Sequence, residues 1–395
     1  MNKCYRGILL LLLIAGSALT ASAQRSDYFK ARELQASPIV KAALTNARAE
    51  IARRKLTISV ANTSVSGRNA DSITGFKMIS DAEYKKLREL RRIKGHPVYK
   101  PKLSPSYATA SKLDLRDFHL VTPVRAQACG NCWTYSTLGS MESNFLLTNY
   151  KDSYSETDPN SPALLDLAEQ QMLSCSGAGD CNGGWMSGVL NWLESSSTSV
   201  SRETQNPDKG WAGVTCGNIN SAANNDYRVV DWDFIATSDD NWAVPTVQQI
   251  KDAIVHHGAV TAAFIASKAD FNAFFTNYED GVYNMPYSTE FGNTIPRIFH
   301  AITIIGWDDT KQAWLFKNSW GPGWGNNGYG WMGYNSSKIG LGATWVETKK
   351  LNNAIIFNPE LIKVKPRIRF KSEQLIIPKM NQVDPKKLNV QPVRQ

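Results

Sequence analysis

The 395 residues of the chain can form a two-part globular core with additional segments, and the formal net charge of +9 is unevenly distributed. Residues 24–111 contain 18 Lys and Arg against 7 Asp and Glu, residues 112–348 contain 13 against 25, and residues 349–395 contain 11 against 3. An acidic body between two basic flanks predicts that the flanks lie on the body, so the basic balance does not indicate a nucleic-acid surface, and no nucleic acid is expected as a partner.

The start of the chain has the composition of a secretory leader. Lys3 and Arg6 precede an apolar run over residues 8–14, and the small residues 21–23 form a cleavage site. The run is too short to span a bilayer. We therefore expect residues 1–23 to be a signal peptide and the mature chain, without a transmembrane segment, to be secreted to the periplasm, the cell surface or the extracellular space. No vacuolar sorting signal is recognisable, so a bacterial protein is expected rather than a lysosomal one.

The basic N-terminal flank has the pattern of two helices and a linker rather than of a core. Apolar residues recur at helical spacing over residues 39–51, after Ser37 and a proline suited to the first turn. Ser80 opens a capping-box pattern for a second helix, which Gly95 can end. The prolines within residues 96–107 predict an extended linker that is open to cleavage.

The packed domain is expected over residues 112–348, because all twelve tryptophans and the five cysteines left after leader removal lie there. The half over 112–225 has helical apolar spacing, and the half over 226–348 has short, partly β-branched apolar runs typical of strands. These runs are residues 259–265, 301–307 and 313–318. Helices followed by strands indicate an α+β fold with two subdomains. Polar insertions are expected to be surface loops, over 152–162, 194–226 and 284–297.

The basic tail, residues 349–395, leaves two alternatives open. Over residues 362–371 apolar and cationic side chains alternate, which predicts an extended segment with one apolar and one basic face. Pro366 restricts such a segment to a sheet edge or an extended wrap. A disordered basic tail is the other interpretation.

Cys129 and Cys132 are separated by two residues, and three interpretations compete. A thioredoxin-like redox pair lacks a surrounding βαβ pattern, and a zinc site lacks a second pair at ligand spacing, which Cys175 and Cys181 do not supply. A nucleophile beside a bridging cysteine fits best, because five mature cysteines then give two bridges and one free thiol. We expect no metal and no cofactor.

Candidates for a base and an orienting group lie in the second half. Cys132 begins a predicted helix, whose dipole favours a thiolate. His300 immediately precedes an apolar strand that would hold it at the edge of the core, and Asn318 follows another. The Asn318 carbonyl can accept the imidazole N–H and fix the ring, and Trp320 can cover that hydrogen bond.

These residues belong to separated motifs that resemble the papain family of cysteine peptidases. The motifs are PVRAQACGNCWTYS, LAEQQMLSC, CNGG, HAITIIGW and KNSWGPGWGNNGYG, in the family's order and over roughly residues 112–348. The resemblance implies a two-subdomain α+β fold, with a helical left subdomain, a β-barrel-like right subdomain and an active-site cleft between them. It also implies a monomeric cysteine endopeptidase that cleaves protein or peptide substrates. Such an enzyme is made as a zymogen, with residues 24–111 as propeptide and intramolecular inhibitor.

The resemblance assigns roles to individual residues. Cys132 is the nucleophile, His300 the general base and later acid, and Asn318 the orienting group. Gln127 would donate a side-chain N–H to the oxyanion, alongside the backbone N–H of Cys132. The family pattern pairs Cys129 with Cys181 and Cys175 with Cys216.

Substrate contacts are implied in the same way. Gly183 and Gly184 resemble a strip whose backbone pairs with an extended peptide. The pocket for the second residue before the scissile bond would be apolar and formed by Trp185, Met186, Ala263 and Ala301. For Trp185 and Met186, simple core packing is the alternative.

Two departures from the family pattern lie beside the nucleophile. Gln127 is five residues before Cys132, where the family has six, and Asn131 replaces a small residue. The short spacing keeps open a second hypothesis, a catalytically silent adhesin or binding module on the same scaffold. A third hypothesis, a CxxC disulfide oxidoreductase, requires a Cys129–Cys132 bond.

Overall fold

The computed structural model describes residues 24–151, 153, 155, 157–210, 214–220 and 227–350. The predicted signal peptide and almost all of the basic tail lie outside these residues. Two compact units are distinguished: the first is helical over its described residues 24–31, and the second runs from Arg32 to Pro366. Within the described chain, no helix is long and apolar enough to cross a membrane.

The N-terminal segment, defined here as residues 32–111, contains the two helices that the capping patterns predict. The Ser37 hydroxyl accepts a hydrogen bond from the N–H of Val40 at the start of α1 (Pro38–Arg54). The Ser80 hydroxyl caps α2 (Asp81–Lys94), which ends at Gly95. The linker after α2 is irregular and then forms a short 3₁₀ helix, Pro105–Thr109.

The stretch between α1 and α2 packs into the core, which the sequence did not predict. Strand β1 (Ile58–Val60) adds to the edge of the main sheet by pairing with residues 278–281. Ile73 and Phe76 are also buried. The buried residues of this stretch follow neither helical nor strand spacing, because each packs against other parts of the protein rather than on one face of a regular element.

The remaining elements confirm the α+β class. The other helices are α3 (Cys132–Thr148), α4 (Glu169–Cys175), α5 (Met186–Ser195) and α6 (Val247–His257), with a short helix at Lys268–Asp270, a π-helix at Phe271–Phe275, and 3₁₀ turns at Ala70–Ser72, Leu115–Phe118 and Cys216–Asn218. The other strands are β2 (Lys112–Asp114), β3 (Gly179–Asp180), β4 (Gly183–Gly184), β5 (Tyr227–Phe234), β6 (Val260–Ser267), β7 (Tyr278–Tyr283), β8 (Arg297–Asp308), β9 (Ala313–Lys317), β10 (Tyr329–Gly333) and β11 (Leu341–Lys350).

Nine of these strands form one sheet, in the order β1-β7-β10-β9-β8-β6-β11-β5, with β2 pairing to β8. Over the described residues the terminal strands β1 and β5 do not pair with each other, so the strand-rich half is an open sheet rather than a closed barrel. The three predicted strands correspond to β6, β8 and β9, which run antiparallel to their neighbours.

Helix α3 is buried because it packs between the helical half and the sheet. Two of its serines bond to the backbone of the sheet region: Ser136 Oγ donates to the Ile302 carbonyl of β8 at 2.6 Å, and Ser140 Oγ donates to the carbonyl of Ala259, just before β6, at 2.7 Å. A side chain at Gly139 would meet Thr303 Oγ1 at 2.9 Å, so helix and strand are in close contact. This packing fixes the N-terminus of α3 next to β8.

Cations of the N-terminal segment meet acids of the body, as the charge distribution predicts. Arg91 bonds to both Glu194 and Asp231. His96 lies between two carboxylates, with its ring nitrogens 3.0 Å from Asp231 and 3.0 Å from Asp233. Because Asp231 is almost fully buried, it depends on these partners for its hydrogen bonds.

Part of the insertion over residues 194–226 also packs inward, contrary to the surface-loop expectation. Val200 and Ser201 are fully buried, and Val200 forms an isolated bridge with Tyr227. The insertion therefore carries a fixed segment against the start of β5.

Candidate active site

The cysteines near residue 130 have separate environments. Cys129 is bonded to Cys181 and Cys175 to Cys216, whereas Cys132 is a free, fully buried thiol. Cys132 is the first residue of α3, where the helix dipole favours a negative charge. A redox pair between Cys129 and Cys132 does not form in this arrangement.

His300 and Asn318 are brought together by β8 and by the end of β9. Asn318 Oδ1 accepts the backbone N–H of Ser319 at 2.8 Å, which identifies this atom as the oxygen. His300 Nε2, at 2.8 Å from the same oxygen, is therefore the ring nitrogen that carries hydrogen. The other nitrogen, Nδ1, is buried and has no hydrogen-bond partner among the described residues. A neutral imidazole of this tautomer presents Nδ1 as a proton acceptor.

The thiol lies beside this histidine. The N–H of Ala301, the residue after His300, points at Cys132 Sγ from 3.4 Å. The Trp320 ring lies 4.7 Å from the His300 ring, centroid to centroid, and shields it on one side. Trp320 is itself fixed by the bond from its Nε1 to the Ile73 carbonyl, at 3.0 Å. Cys132, His300, Asn318 and Trp320 thus form one buried cluster.

Gln127 lies in the same region, and two hydrogen bonds hold its side chain. Its Nε2 donates to the Cys129 carbonyl at 2.5 Å, and its Oε1 accepts from Ser319 Oγ at 2.5 Å. An amide nitrogen carries two hydrogens, so one bond to Cys129 leaves the second for another acceptor. The oxyanion role of Gln127 stays a prediction. Ser319 was not singled out from the sequence, although it lies in the KNSW motif.

Gly183 and Gly184, called here the glycine strip, contact an extended peptide that belongs to the chain's own N-terminal segment. The Gly184 N–H donates to the Gly75 carbonyl at 2.7 Å, and the Lys77 N–H donates to the Gly184 carbonyl at 2.8 Å. Phe76 forms a parallel bridge with Gly184. A side chain at Gly75 would lie 1.9 Å from the Gly130 carbonyl oxygen, so only glycine fits there. The segment therefore covers the cysteine closely.

Phe76 occupies an apolar pocket next to the strip. Its side chain is 7% exposed, and its ring lies 6.3 Å from that of Phe299. A side chain at Gly342 would meet Phe76 Cζ at 3.2 Å and Met186 Cε at 3.9 Å. Met186 thus lies near Phe76, whereas Gly342 belongs to no motif noted in the sequence.

The other pocket candidates lie on two paired strands and just before a helix. Ala263 and Ala301 are directly paired between β6 and β8, and Leu341 pairs with Ala263. Trp185 precedes α5 and packs on Gly188, where a side chain would meet its Nε1 at 2.3 Å. Their contacts with a substrate stay predictions.

Comparisons with known proteins match this geometry. The sequence profile described as "Papain family cysteine protease" matches residues 109–348. The chain belongs to the papain family of cysteine proteases. It is 31% identical over 222 residues to cysteine proteinase 3 of Solanum lycopersicum, covering 55% of this chain and 54% of that protein. It is 28% identical over 242 residues to cathepsin S of Bos taurus, covering 60% and 63%. The chain thus spans between half and two thirds of the length of these relatives.

Solved structures share the fold of this papain-family chain. Digestive procathepsin L 3 of the Tenebrio molitor larval midgut is 22% identical, with a TM-score of 0.52, and the match covers 83% of this chain and 99% of that chain. The recombinant stem bromelain precursor is 21% identical, with a TM-score of 0.54, and the match covers 84% and 99%.

With the N-terminal segment in place, burial favours the neutral forms of both Cys132 and His300. It raises the pKa of the Cys132 thiol to about 11, and the backbone N–H groups around the sulfur, among them those of Ala301, Gly75 and Phe76, only partly oppose this. Burial also lowers the pKa of His300 to about 4, against the effect of its bond to Asn318. Both shifts have the sign expected when charged forms lose water. At neutral pH the covered site therefore contains a thiol and an imidazole rather than an ion pair.

The raised pKa of the covered Cys132 thiol predicts how its alkylation depends on pH. In the intact chain from residue 24, the rate of iodoacetamide alkylation is expected to keep rising above pH 9, because the thiolate forms only near the raised pKa. After removal of the N-terminal segment, solvent, the helix dipole and the imidazolium stabilise the thiolate, so the rate should level off well below pH 8. The Cys132→Ala chain is the control and should take up no label. A plateau below pH 8 in the intact chain would contradict the burial argument.

Proposed function

We propose that the protein is a secreted cysteine endopeptidase that hydrolyses peptide bonds in protein or peptide substrates, as a monomer and without a cofactor. One observation carries this proposal: a free thiol at a helix N-terminus, Cys132, lies beside the His300–Asn318 pair in a cleft that holds an extended peptide. The peptide seated there is part of the chain itself, which supports synthesis as a zymogen.

The chemistry follows from these positions once the cleft is open. His300 Nδ1 takes the proton of Cys132 Sγ, and the thiolate attacks the substrate carbonyl carbon. The negative oxygen of the tetrahedral intermediate would accept from the Cys132 N–H and the second hydrogen of Gln127 Nε2. The imidazolium then gives its proton to the leaving amine. A water molecule, deprotonated by His300, hydrolyses the thioester and restores the thiol.

The domain assignment is part of the proposal. Residues 1–23 would be the signal peptide, 24–111 the propeptide, 112–348 the peptidase domain and 349–395 a basic extension. Three features support an inhibitory propeptide: its backbone pairs with the glycine strip, Phe76 fills a pocket, and its cations bond to acids of the body. Such ion pairs weaken as salt is raised.

Secretion rests on the leader sequence alone. The relatives named above are a plant and a mammalian protein, and the two solved neighbours are an insect procathepsin and a stem bromelain precursor. They give no support to a bacterial origin, which was inferred only from the absence of a recognisable sorting signal.

The Phe76 pocket predicts substrate preference. For the processed enzyme, peptides with Phe or Leu as the second residue before the scissile bond are expected to be cleaved about 10- to 100-fold faster, by kcat/KM, than matched peptides with Asp there. The reason is that burying a large apolar side chain is worth about 1.5–3 kcal/mol, whereas a carboxylate in this pocket would be unpaired. A fluorogenic peptide panel measures this.

The variant Met186→Asp is the matched test of the same pocket, because its side chain lies near Phe76. It should reduce cleavage of the Phe and Leu peptides while leaving iodoacetamide alkylation unchanged. Equal cleavage of the Phe and Asp peptides by the unmodified enzyme would show that Phe76 does not mark a substrate pocket.

A further inference from the structure

The loop between Gln127 and Cys132 has one residue fewer than the family pattern, yet it must direct two oxyanion donors. Its turn is organised around the carbonyl of Cys129, which accepts from Gln127 Nε2 at 2.5 Å and from the Asn131 N–H at 2.8 Å. The disulfide to Cys181 anchors the middle of the loop. Neither contact holds Ala128 or the side chain of Asn131.

A carboxylate from the 194–226 insertion reaches this loop. Asp208 Oδ2 accepts hydrogen bonds from Tyr135 Oη at 2.6 Å, Asn131 Nδ2 at 3.1 Å and the Ala128 N–H at 3.4 Å. Its Oδ1 accepts the N–H of Gly210 at 2.9 Å. One side chain therefore contacts the loop on both sides of Cys129 and also the first turn of α3.

Asn131 links this carboxylate to the oxyanion donors. It is fully buried, and because Asp208 can only accept hydrogen bonds, Asn131 Nδ2 must face it. The Asn131 carbonyl accepts from the Thr134 N–H at 2.9 Å and from Thr134 Oγ1 at 2.8 Å. That carbonyl shares a planar peptide group with the Cys132 N–H, so the orientation of Asn131 sets the direction of this N–H.

Asp208 is itself held from the other side. Its N–H donates to Glu203 Oε1 at 2.6 Å, and the N–H of Lys209 donates to Gln170 Oε1 at 2.8 Å, on helix α4. The insertion therefore offers a fixed carboxylate rather than a mobile one.

We propose that Asp208 is a positioning residue for the oxyanion site. By fixing Ala128 and Asn131, it substitutes for the missing loop residue and keeps the Gln127 amide and the Cys132 N–H directed at the same point. This rests on the proposed function, and in particular on the oxyanion role of Gln127.

The test compares reactions of the processed enzyme that do and do not need an oxyanion site. Asp208→Ala is expected to lower kcat for a fluorogenic peptide by roughly 10- to 100-fold, since small displacements of catalytic groups have effects of this size. KM should change by less than about threefold, because the loss falls on the transition state. Binding of a peptide aldehyde, whose adduct oxygen occupies the oxyanion site, should weaken by the same factor as kcat. Alkylation by iodoacetamide, a displacement at saturated carbon, should keep its rate.

Coupling with Asn131 separates positioning from general destabilisation. Asn131→Ser removes the contact from the other side, so the double variant Asp208→Ala/Asn131→Ser is expected to lose no more activity than the stronger single variant. Asp252→Ala, at a half-buried position of α6, is the control acid and should leave all four measurements unchanged.

The outcomes are distinguishable. If Gln127→Ala lowers kcat and aldehyde affinity but Asp208→Ala does not, the positioning role is wrong and the proposed function stands. If Asp208→Ala lowers alkylation and peptide turnover alike, its effect is structural and the proposal is overturned. If Gln127→Ala changes neither kcat nor aldehyde affinity, the oxyanion role of Gln127 fails, and the proposal for Asp208 fails with it.

Discussion

Replacing Cys132 by alanine in the processed enzyme is expected to lower kcat/KM for a peptide substrate by about 10⁴-fold or more. In the proposed mechanism the thiol supplies the electron pair that attacks the substrate. It lies at a helix N-terminus and beside a His300 nitrogen that has no hydrogen-bond partner among the described residues. Initial rates with a fluorogenic peptide measure the loss, and titration of active sites excludes traces of unmodified enzyme.

The same experiment with His300→Ala should give a loss of similar size, and the double variant should be no slower than either single variant, because the two groups act as one unit. Thermal unfolding of each variant shows whether the fold is kept. If Cys132→Ala retains more than about 1% of the activity with its fold intact, another group performs the chemistry. If the unmodified processed chain cleaves nothing while it still binds peptides, the catalytically silent binding module is the better description.

Gly75→Ala in the intact chain is expected to raise the rate of Cys132 alkylation at neutral pH by roughly 10- to 100-fold. The new methyl group would lie 1.9 Å from the Gly130 carbonyl oxygen and 2.7 Å from its carbon, and neither backbone atom can move away easily. Overpacking of this kind typically costs about 1–3 kcal/mol, and each 1.4 kcal/mol changes an equilibrium tenfold. The segment over the thiol should therefore open more often.

Gly217→Ala is a matched control for this substitution, because its added methyl group would meet its nearest neighbour at an ordinary 3.8 Å. It should leave the alkylation rate of the intact chain unchanged. If Gly75→Ala behaves like Gly217→Ala, the extended segment does not control access to Cys132.

The sequence identified three candidate site residues that the structure brings together, because each stands beside an element with a strong local pattern; their catalytic roles stay predictions. Cys132 is the first residue of α3 and Asn318 follows β9, as expected, whereas His300 lies inside β8 rather than before it. Helices α1 and α2 were predicted for a similar reason, since capping is a local property of a few residues.

The resemblance implied a covering propeptide, but the residues that fit this cover to the site could not be predicted, because that fit depends on contacts between distant residues. Gly75 appears in the sequence as a glycine between Thr74 and Phe76, and nothing local shows that the Gly130 carbonyl will lie against it. Asp208 is a second example: a polar insertion predicts a solvated loop, and only the folded chain shows its carboxylate facing inward.

Strand β1 has a consequence for how the enzyme would become active. Its backbone pairs with β7 at the edge of the nine-stranded sheet, so a single cut in the linker would leave the proposed propeptide attached by these hydrogen bonds. The lag before hydrolysis begins would then be set by the rate at which the cut segment dissociates. Because dissociation is a first-order process, the lag would not shorten at higher concentrations of the nicked protein.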